Sequence, residues 1–178
     1  TVFFANQTGG SVTMIPVSLG AGGVISLSPA TRIKADIGAR ALEIDAHDNV
    51  LLVTNEGSGT IVLIDLATDT PLTRIPVGRH PRGIAITADS GTAYVAVMGE
   101  AKIVRIDLSS NEVVGQVGDV GTTPRHLLLS PDGKYLYVSN HRQNLVRKID
   151  LAANRTVGTA STGTETRSMA LAEDGESL

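Results

Sequence analysis

Four arginines recur at an almost constant spacing, and their side chains are the ones in this sequence best suited to binding chemistry. Arg40, Arg82, Arg125 and Arg167 are separated by 42, 43 and 42 residues. A guanidinium group can bind a carboxylate or phosphate through two parallel hydrogen bonds. The four arginines therefore predict a site for a small anionic ligand, provided that the fold brings the repeats together. The alternative is structural, with each arginine pairing locally or with carbonyls of a neighbouring repeat.

Histidine and asparagine side chains add to this candidate site. His126 follows Arg125 directly, while Asn140 and His141 end an apolar run in the same repeat. We include these three residues with the four arginines as candidate ligand-binding residues. His126 and His141 could approach each other, but the sequence offers no third metal ligand at a usable spacing. We therefore predict no metal site and no cofactor.

Several kinds of chemistry are excluded or unsupported. The chain has no cysteine, so thiol catalysis, disulfides and thiolate metal sites are excluded. No GxSxG motif is present, and no Ser, His and Asp are linked by spacing. The glycines fall at turns and not between a strand and a helix, so no phosphate-binding loop is supported. No catalytic residue is assigned on these grounds.

Composition limits the possible partners. The 178 residues suffice for one domain, and 42% of them are hydrophobic, but no apolar run approaches the ~18 residues that would span a membrane. The formal charge of −3 and the 3% of aromatic residues disfavour nucleic-acid binding. Absence of cysteine fits an exported bacterial protein, so we expect a periplasmic, extracellular or cell-surface location.

The arginine spacing belongs to a longer repeat of about 42 residues. The same offsets relate Ile64-Asp65-Leu66 to Ile106-Asp107-Leu108 and to Ile149-Asp150-Leu151. Short apolar runs separated by turn residues indicate antiparallel strands, and four strands in this length are typical of one propeller blade. The sequence thus predicts an all-β propeller of four-stranded blades.

The repeat at 124–165 shows the strands most clearly. We predict strands at about 125–130, 135–140, 145–150 and 155–160, with a Pro-Asp-Gly turn after the first. The Asp and Asn residues of the turn after the third strand are predicted to be structural, because they accept backbone hydrogen bonds or tolerate left-handed geometry. Arg125 begins the inner strand and Asn140 ends the second, so both should lie on one face, around the central channel.

The chain divides into a single propeller segment of successive units. We assign strands of a first blade to 1–38, and further blades to 39–80, 81–123 and 124–165, with a partial blade at 166–178. The first unit carries an insertion, predicted to be a loop, before an outer strand at Thr31 to Ile37. An inner strand at 167–172 could pair with the first unit and close a ring.

Three assemblies remain open: a closed ring of four blades, a chain completed by self-association, or part of a larger propeller. We favour the last, with seven blades.

Two family resemblances follow from these residues. LYVSN at 136–140, LLVTN at 51–55 and VFFAN at 2–6 resemble the YVTN repeat of bacterial and archaeal propellers, including surface-layer and cell-surface proteins. That resemblance implies a binding or scaffold module. Pro124-Arg125-His126, followed by Ser130-Pro131-Asp132-Gly133, is similar to a segment of seven-bladed lactonases, which use Arg and His at the channel mouth. Where those enzymes commonly carry Asn-Glu after the second strand, this repeat has Asn140-His141, and in another blade Asn55-Glu56 is such a pair at that position.

Two functional interpretations result. The first is a non-catalytic, exported propeller module that binds an anionic ligand or a protein partner at the arginine-lined channel mouth. The alternative is a lactonase-like hydrolase that uses Arg125 and His126.

Overall fold

The computed structural model describes residues 1–45, 47 and 49–172 of the chain. This part consists of strands, turns and two single-turn 3-10 helices at Ala21–Gly23 and Met98–Glu100. None of its helices is long and apolar enough to cross a membrane. The strands in chain order are β1 Val2–Asn6, β2 Ser11–Ile15, β3 Val17–Leu19, β4 Ile25–Leu27, β5 Thr31–Lys34, β6 Ala39–Asp45, β7 Val50–Asn55, β8 Thr60–Asp65, β9 Thr70–Pro76, β10 Pro81–Ile86, β11 Thr92–Val97, β12 Lys102–Asp107, β13 Glu112–Val117, β14 Pro124–Leu129, β15 Tyr135–Asn140, β16 Leu145–Asp150 and β17 Arg155–Ser161.

Three sheets each contain four antiparallel strands that pair in chain order. They are β6-β7-β8-β9, β10-β11-β12-β13 and β14-β15-β16-β17. The predicted all-β architecture of four-stranded blades is therefore confirmed.

Each inner strand carries an irregularity at the position of its arginine. The register shifts between Ala39 and Leu42 in β6, between Pro81 and Ile84 in β10, and between Pro124 and Leu127 in β14. Such bulges change the direction in which side chains point and often occur beside functional sites. In two blades a hydroxyl from the second strand replaces the missing ladder partner: Thr54 Oγ1 accepts from Ala41 N at 2.9 Å, and Ser139 Oγ accepts from His126 N at 3.0 Å.

The first sheet differs from the other three. It has three strands in the order β1-β2-β5, and a separate two-stranded hairpin, β3-β4, lies between β2 and β5 in sequence. The insertion, predicted as a loop, thus forms a hairpin. Its strands begin directly after Pro16, which lacks the N–H needed to continue the ladder. The outer strand ends at Lys34 and not at Ile37, because Asp36 N donates to Asn55 Oδ1 of the next sheet at 3.1 Å.

Ring closure, one of the three alternatives left open by the sequence, is not observed in the described part of the chain. Residues 167–172 form no strand there, and β1 is an edge strand of its sheet. Instead, Ser139 Oγ lies 3.4 Å from Arg167 O, and Met169 N lies 3.3 Å from His126 Nδ1. The segment therefore lies beside β14 and β15. Residues 173–178 of the predicted partial blade lie outside the described residues.

Apolar cores lie between neighbouring sheets, so strands of the middle sheets are buried on both faces. Along β7, Leu51 and Val53 pack with Val12 and Ile33 of the first sheet. Leu52 faces the other way and packs in the core shared with the third sheet. Burial on both faces explains why these strands read as continuous apolar runs and not as an alternating pattern.

The turns between third and outer strands have the geometry that their residues predict. Asp65 Oδ1 accepts hydrogen bonds from Ala67 N at 2.6 Å and Thr68 N at 3.2 Å. The turn residues Asp69, Asn111 and Asn154 have positive φ values of 57°, 59° and 51°. These repeated acidic and amide side chains stabilise turns.

Candidate functional site

The four recurring arginines meet at one pocket. It has a volume of about 190 Å³ and is lined by Arg40, Ala41, Arg82, Gly83, Arg125, His126, Arg167 and Ser168. These residues form four pairs of sequence neighbours, each an arginine and the residue after it, and each pair comes from the same position of one repeat. The structure thus brings together the four arginines and His126, five of the seven candidate residues.

Glu56 holds two of the arginines together. Its Oε1 lies 2.6 Å from Nη2 of Arg82, and its Oε2 lies 2.9 Å from Nε of Arg40. The contact with Arg40 is an ion pair without good hydrogen-bond alignment, since Oε2 has no hydrogen-bond partner among the described residues. Arg40 also donates from Nη1 to Gln7 Oε1 at 3.0 Å. The structural alternative therefore applies in part to Arg40 and Arg82, which pair locally with a carboxylate.

Arg82 nevertheless retains unused donors. Its side chain is only 11% exposed, yet Nε and Nη1 have no hydrogen-bond partner in the described part of the chain. Burial lowers the pKa of Arg82, and the charges of Arg40 and Arg125 lower it further, while Glu56 opposes the shift. A buried guanidinium whose N–H groups lack hydrogen-bond acceptors destabilises the fold unless another acceptor binds to them.

The guanidinium of Arg125 has no hydrogen bond or ion pair with any described residue, although it lines the same pocket. Burial is the main cause that lowers the pKa of Arg125, and the neighbouring charges of Arg167 and Arg40 lower it further. Arg167 is exposed and lies 3.7 Å from Glu165, between Nη2 and Oε2. The guanidiniums thus repel one another across the pocket, and a bound anion would relieve that repulsion.

Close contact between inner strands brings Arg82 and Arg125 together. A Cβ atom at Gly83 would lie 2.6 Å from Arg125 O and 3.0 Å from His126 Cα. Only glycine permits β10 and β14 to approach this closely. The position after the arginine is Ala41, Gly83, His126 or Ser168 in the successive repeats, so His126 is the one large side chain in this layer.

Asn140 and His141 do not line this pocket. Asn140 is fully buried and bonds to backbone, donating to Val120 O at 2.9 Å and accepting from Thr123 N at 3.3 Å. His141 Nδ1 lies 3.3 Å from Thr166 O. Asn55 has the same structural environment as Asn140, because its amide bonds to backbone groups of Asp36 and Val53.

The arrangement favours anion binding over metal binding. No three His, Asp or Glu side chains of the described residues are grouped so that they could hold a metal ion. Two residues beside the arginines were not among the predicted ligand-binding residues. Glu56 belongs to the Asn55-Glu56 pair after a second strand, which was a usable signal. His80, whose Nδ1 lies 3.4 Å from Glu56 Oε1, stands two residues before Arg82 in the sequence, which was a usable signal as well.

Repeated four-stranded sheets, with inner strands that meet at an arginine-lined channel mouth, define a β-propeller. The particular family follows from the sequence: residues 72–169 match the model of the lactonase, seven-bladed β-propeller family. Because the match covers more than half of the chain, the chain belongs to this family. The resemblance to the YVTN repeat stays a prediction.

Solved structures with the same fold belong to chains longer than this one. Hydrazine synthase of Kuenenia stuttgartiensis is 27% identical with a TM-score of 0.83, and the match covers 98% of this chain and 50% of that one. A protein from Bacteroides uniformis described as a putative 6-phosphogluconolactonase is 20% identical with a TM-score of 0.77, over 98% and 58% of the two chains. The chain thus spans about half the length of these structures. No curated protein matches it significantly.

Proposed function

We propose that the arginine pocket binds an organic anion, and that the propeller carrying it hydrolyses a lactone with an anionic substituent. The observation that supports this most directly is that the largely buried guanidinium of Arg82 has two nitrogen atoms, Nε and Nη1, without a hydrogen-bond partner among the described residues. A carboxylate or phosphate oxygen is the acceptor that such donors bind most strongly. Family membership favours the lactonase-like interpretation over a purely structural module.

Local charge defines the class of ligand. Of the described residues, four arginines and no acidic side chain line the pocket. Glu56 pairs with Arg82 from beside it, and the pairing of Glu165 with Arg167 is exposed to solvent. The site therefore has an excess of positive charge that favours a ligand with one or two negative charges over a neutral sugar. The glucono-lactones that carry a phosphate belong to this class, as the name of the Bacteroides relative suggests.

The experiment is a hydrolysis assay with the full-length protein on glucono-1,5-lactone and its 6-phosphate. We expect faster hydrolysis of the phosphorylated lactone. Changing Arg82 and Arg125 together to Ala should remove that preference, while changing Arg155, an exposed arginine at the start of the outer strand β17, should not. Equal rates on both lactones in the unaltered protein would contradict the proposal.

A second candidate is a binding module without catalysis, exported as the cysteine-free composition suggests. It is favoured by Glu56, because a carboxylate engaged by two arginines is poorly placed to take a proton from water. Anion binding without hydrolysis of either lactone would select this function. In that case the Arg82 and Arg125 double variant should still lose anion affinity.

A further inference from the structure

His126 is held by hydrogen bonds on both sides of its strand. Its own N–H donates to Ser139 Oγ at 3.0 Å, which fixes the main chain of the bulge in β14. Its ring nitrogen Nδ1 lies 3.3 Å from the backbone N of Met169, in the inner segment of the next repeat. The ring lines the same pocket as Arg82 and Arg125.

The contact with Met169 determines where the imidazole carries its proton. A backbone N–H can only donate, so Nδ1 must accept with its lone pair. A neutral imidazole then carries its proton on Nε2. Burial lowers the pKa of His126, so the neutral ring predominates at neutral pH. The side chain therefore offers an N–H donor through Nε2 and has no free lone pair there.

We infer that His126 is a hydrogen-bond donor, through Nε2–H, to the carbonyl oxygen of the bound ligand, and that it is not the general base. This inference rests on the proposed lactone hydrolysis. A general base needs a free lone pair, and in this ring the only lone pair is already used by Met169 N. A donor aimed at a carbonyl oxygen is useful because negative charge develops there in the transition state.

The reaction balances without a proton transfer to His126. The oxygen of water bonds to the carbonyl carbon, and the C=O electron pair moves to the oxygen that faces Nε2–H. The intermediate collapses as the C=O bond re-forms and the ring C–O bond breaks. The ring oxygen takes a proton that originates from the attacking water, and the product is the hydroxy acid. His126 keeps its proton throughout.

Two substitutions separate a donor from a base. Gln places an amide N–H near the position of Nε2–H but cannot accept a proton, whereas Ala removes the donor altogether. We expect His126→Gln to hydrolyse the phosphorylated lactone within about tenfold of the unaltered protein, and His126→Ala to lose about 10²–10³-fold in kcat. Equal, large losses in both variants would indicate a general base and overturn the inference.

A second experiment tests the role of His126 without measuring catalysis. In the full-length protein with ¹⁵N-labelled histidine, we expect the Nε2–H tautomer for the resonance that disappears in His126→Gln. Pyroglutamate, a lactam with a carboxylate, should then shift the Nε2–H proton when it binds. An Nδ1–H tautomer, or an Nε2–H proton that pyroglutamate leaves unchanged, would overturn the inference. If the tautomer and the shift are found but no lactone is hydrolysed, the proposed function fails and the donor assignment stands.

Discussion

Oε1 of Glu56 lies 2.6 Å from Nη2 of Arg82, although the two residues belong to successive blades. The loop after β7 thus supplies the counter-charge for the inner strand of the next sheet. Because the same carboxylate also reaches Arg40, it neutralises one charge of the cluster and leaves Arg125 without a partner. This pairing lowers the electrostatic repulsion among the four arginines that share one pocket.

Glu56→Gln should destabilise the protein and increase its response to anions. Removing one member of a buried ion pair leaves Arg82 without a counter-charge, and we expect a loss of up to about 3 kcal/mol in the free energy of unfolding. Inorganic phosphate should then raise Tm more in the variant than in the unaltered protein. Both effects are measured by thermal unfolding with and without phosphate.

The matched control for Glu56 is Glu100→Gln. Glu100 pairs with Lys102 at 2.7 Å but lies outside the pocket. Its loss should lower stability less than the loss of Glu56, because solvent-exposed ion pairs contribute little, and should leave the response to phosphate unchanged. Identical behaviour of the two variants would show that Glu56 has no special place beside the arginines.

Gly83→Ala should disturb both stability and binding. The added Cβ would lie 2.6 Å from Arg125 O, so β10 and β14 must separate, which we expect to cost about 1–3 kcal/mol. Phosphate should bind more weakly, since Arg82 and Arg125 move apart. Chemical denaturation and a phosphate titration measure the two effects.

Gly158→Ala is the control for Gly83. Its Cβ would meet Lys148 Cβ at 3.7 Å, an ordinary contact. This substitution should be neutral or stabilise by about 0.4–1 kcal/mol. A Gly83 variant as stable as the Gly158 variant would refute the close strand contact.

His126 should make stability depend on pH. Its pKa in the folded protein is lowered by burial, so the unfolded chain binds the proton first as pH falls. The stability linked to this group is therefore fully present above the unfolded pKa of about 6.5 and is lost as pH falls toward the folded value. Unfolding at pH 7.5 and 5.5 should show a larger loss in the unaltered protein than in His126→Gln. The same loss in both would contradict a buried neutral His126.

The repeat explains how much of the fold could be predicted. Strands 135–140 and 145–150 were placed correctly because Pro131-Asp132-Gly133 and Asp150 mark their turns, and both sequence signals act locally. The hairpin β3-β4 was missed because its residues follow no repeat. The early end of β5 was missed because it depends on a hydrogen bond to Asn55, which lies in another sheet.

The site was predicted in part for a similar reason. Spacing alone placed the four arginines together, since each occupies the same position in its repeat. It could not distinguish Asn140, whose amide bonds to buried backbone groups, from a ligand-binding side chain. Nor could it show that Glu56 from one blade pairs with Arg82 of the next. Contacts between blades decide both points.

The anion site in the arginine pocket is tested most directly by the affinity of the full-length protein for pyroglutamate and inorganic phosphate, measured by calorimetric titration. The guanidinium of Arg125 makes no hydrogen bond or ion pair with the described residues, so Arg125→Gln removes a donor from the pocket without breaking an ion pair among them. We expect that variant to bind both anions about 10–100-fold more weakly, while Arg155→Gln on the outer strand binds them normally. Equal affinity in the unaltered protein and in Arg125→Gln would contradict an anion site in the arginine pocket.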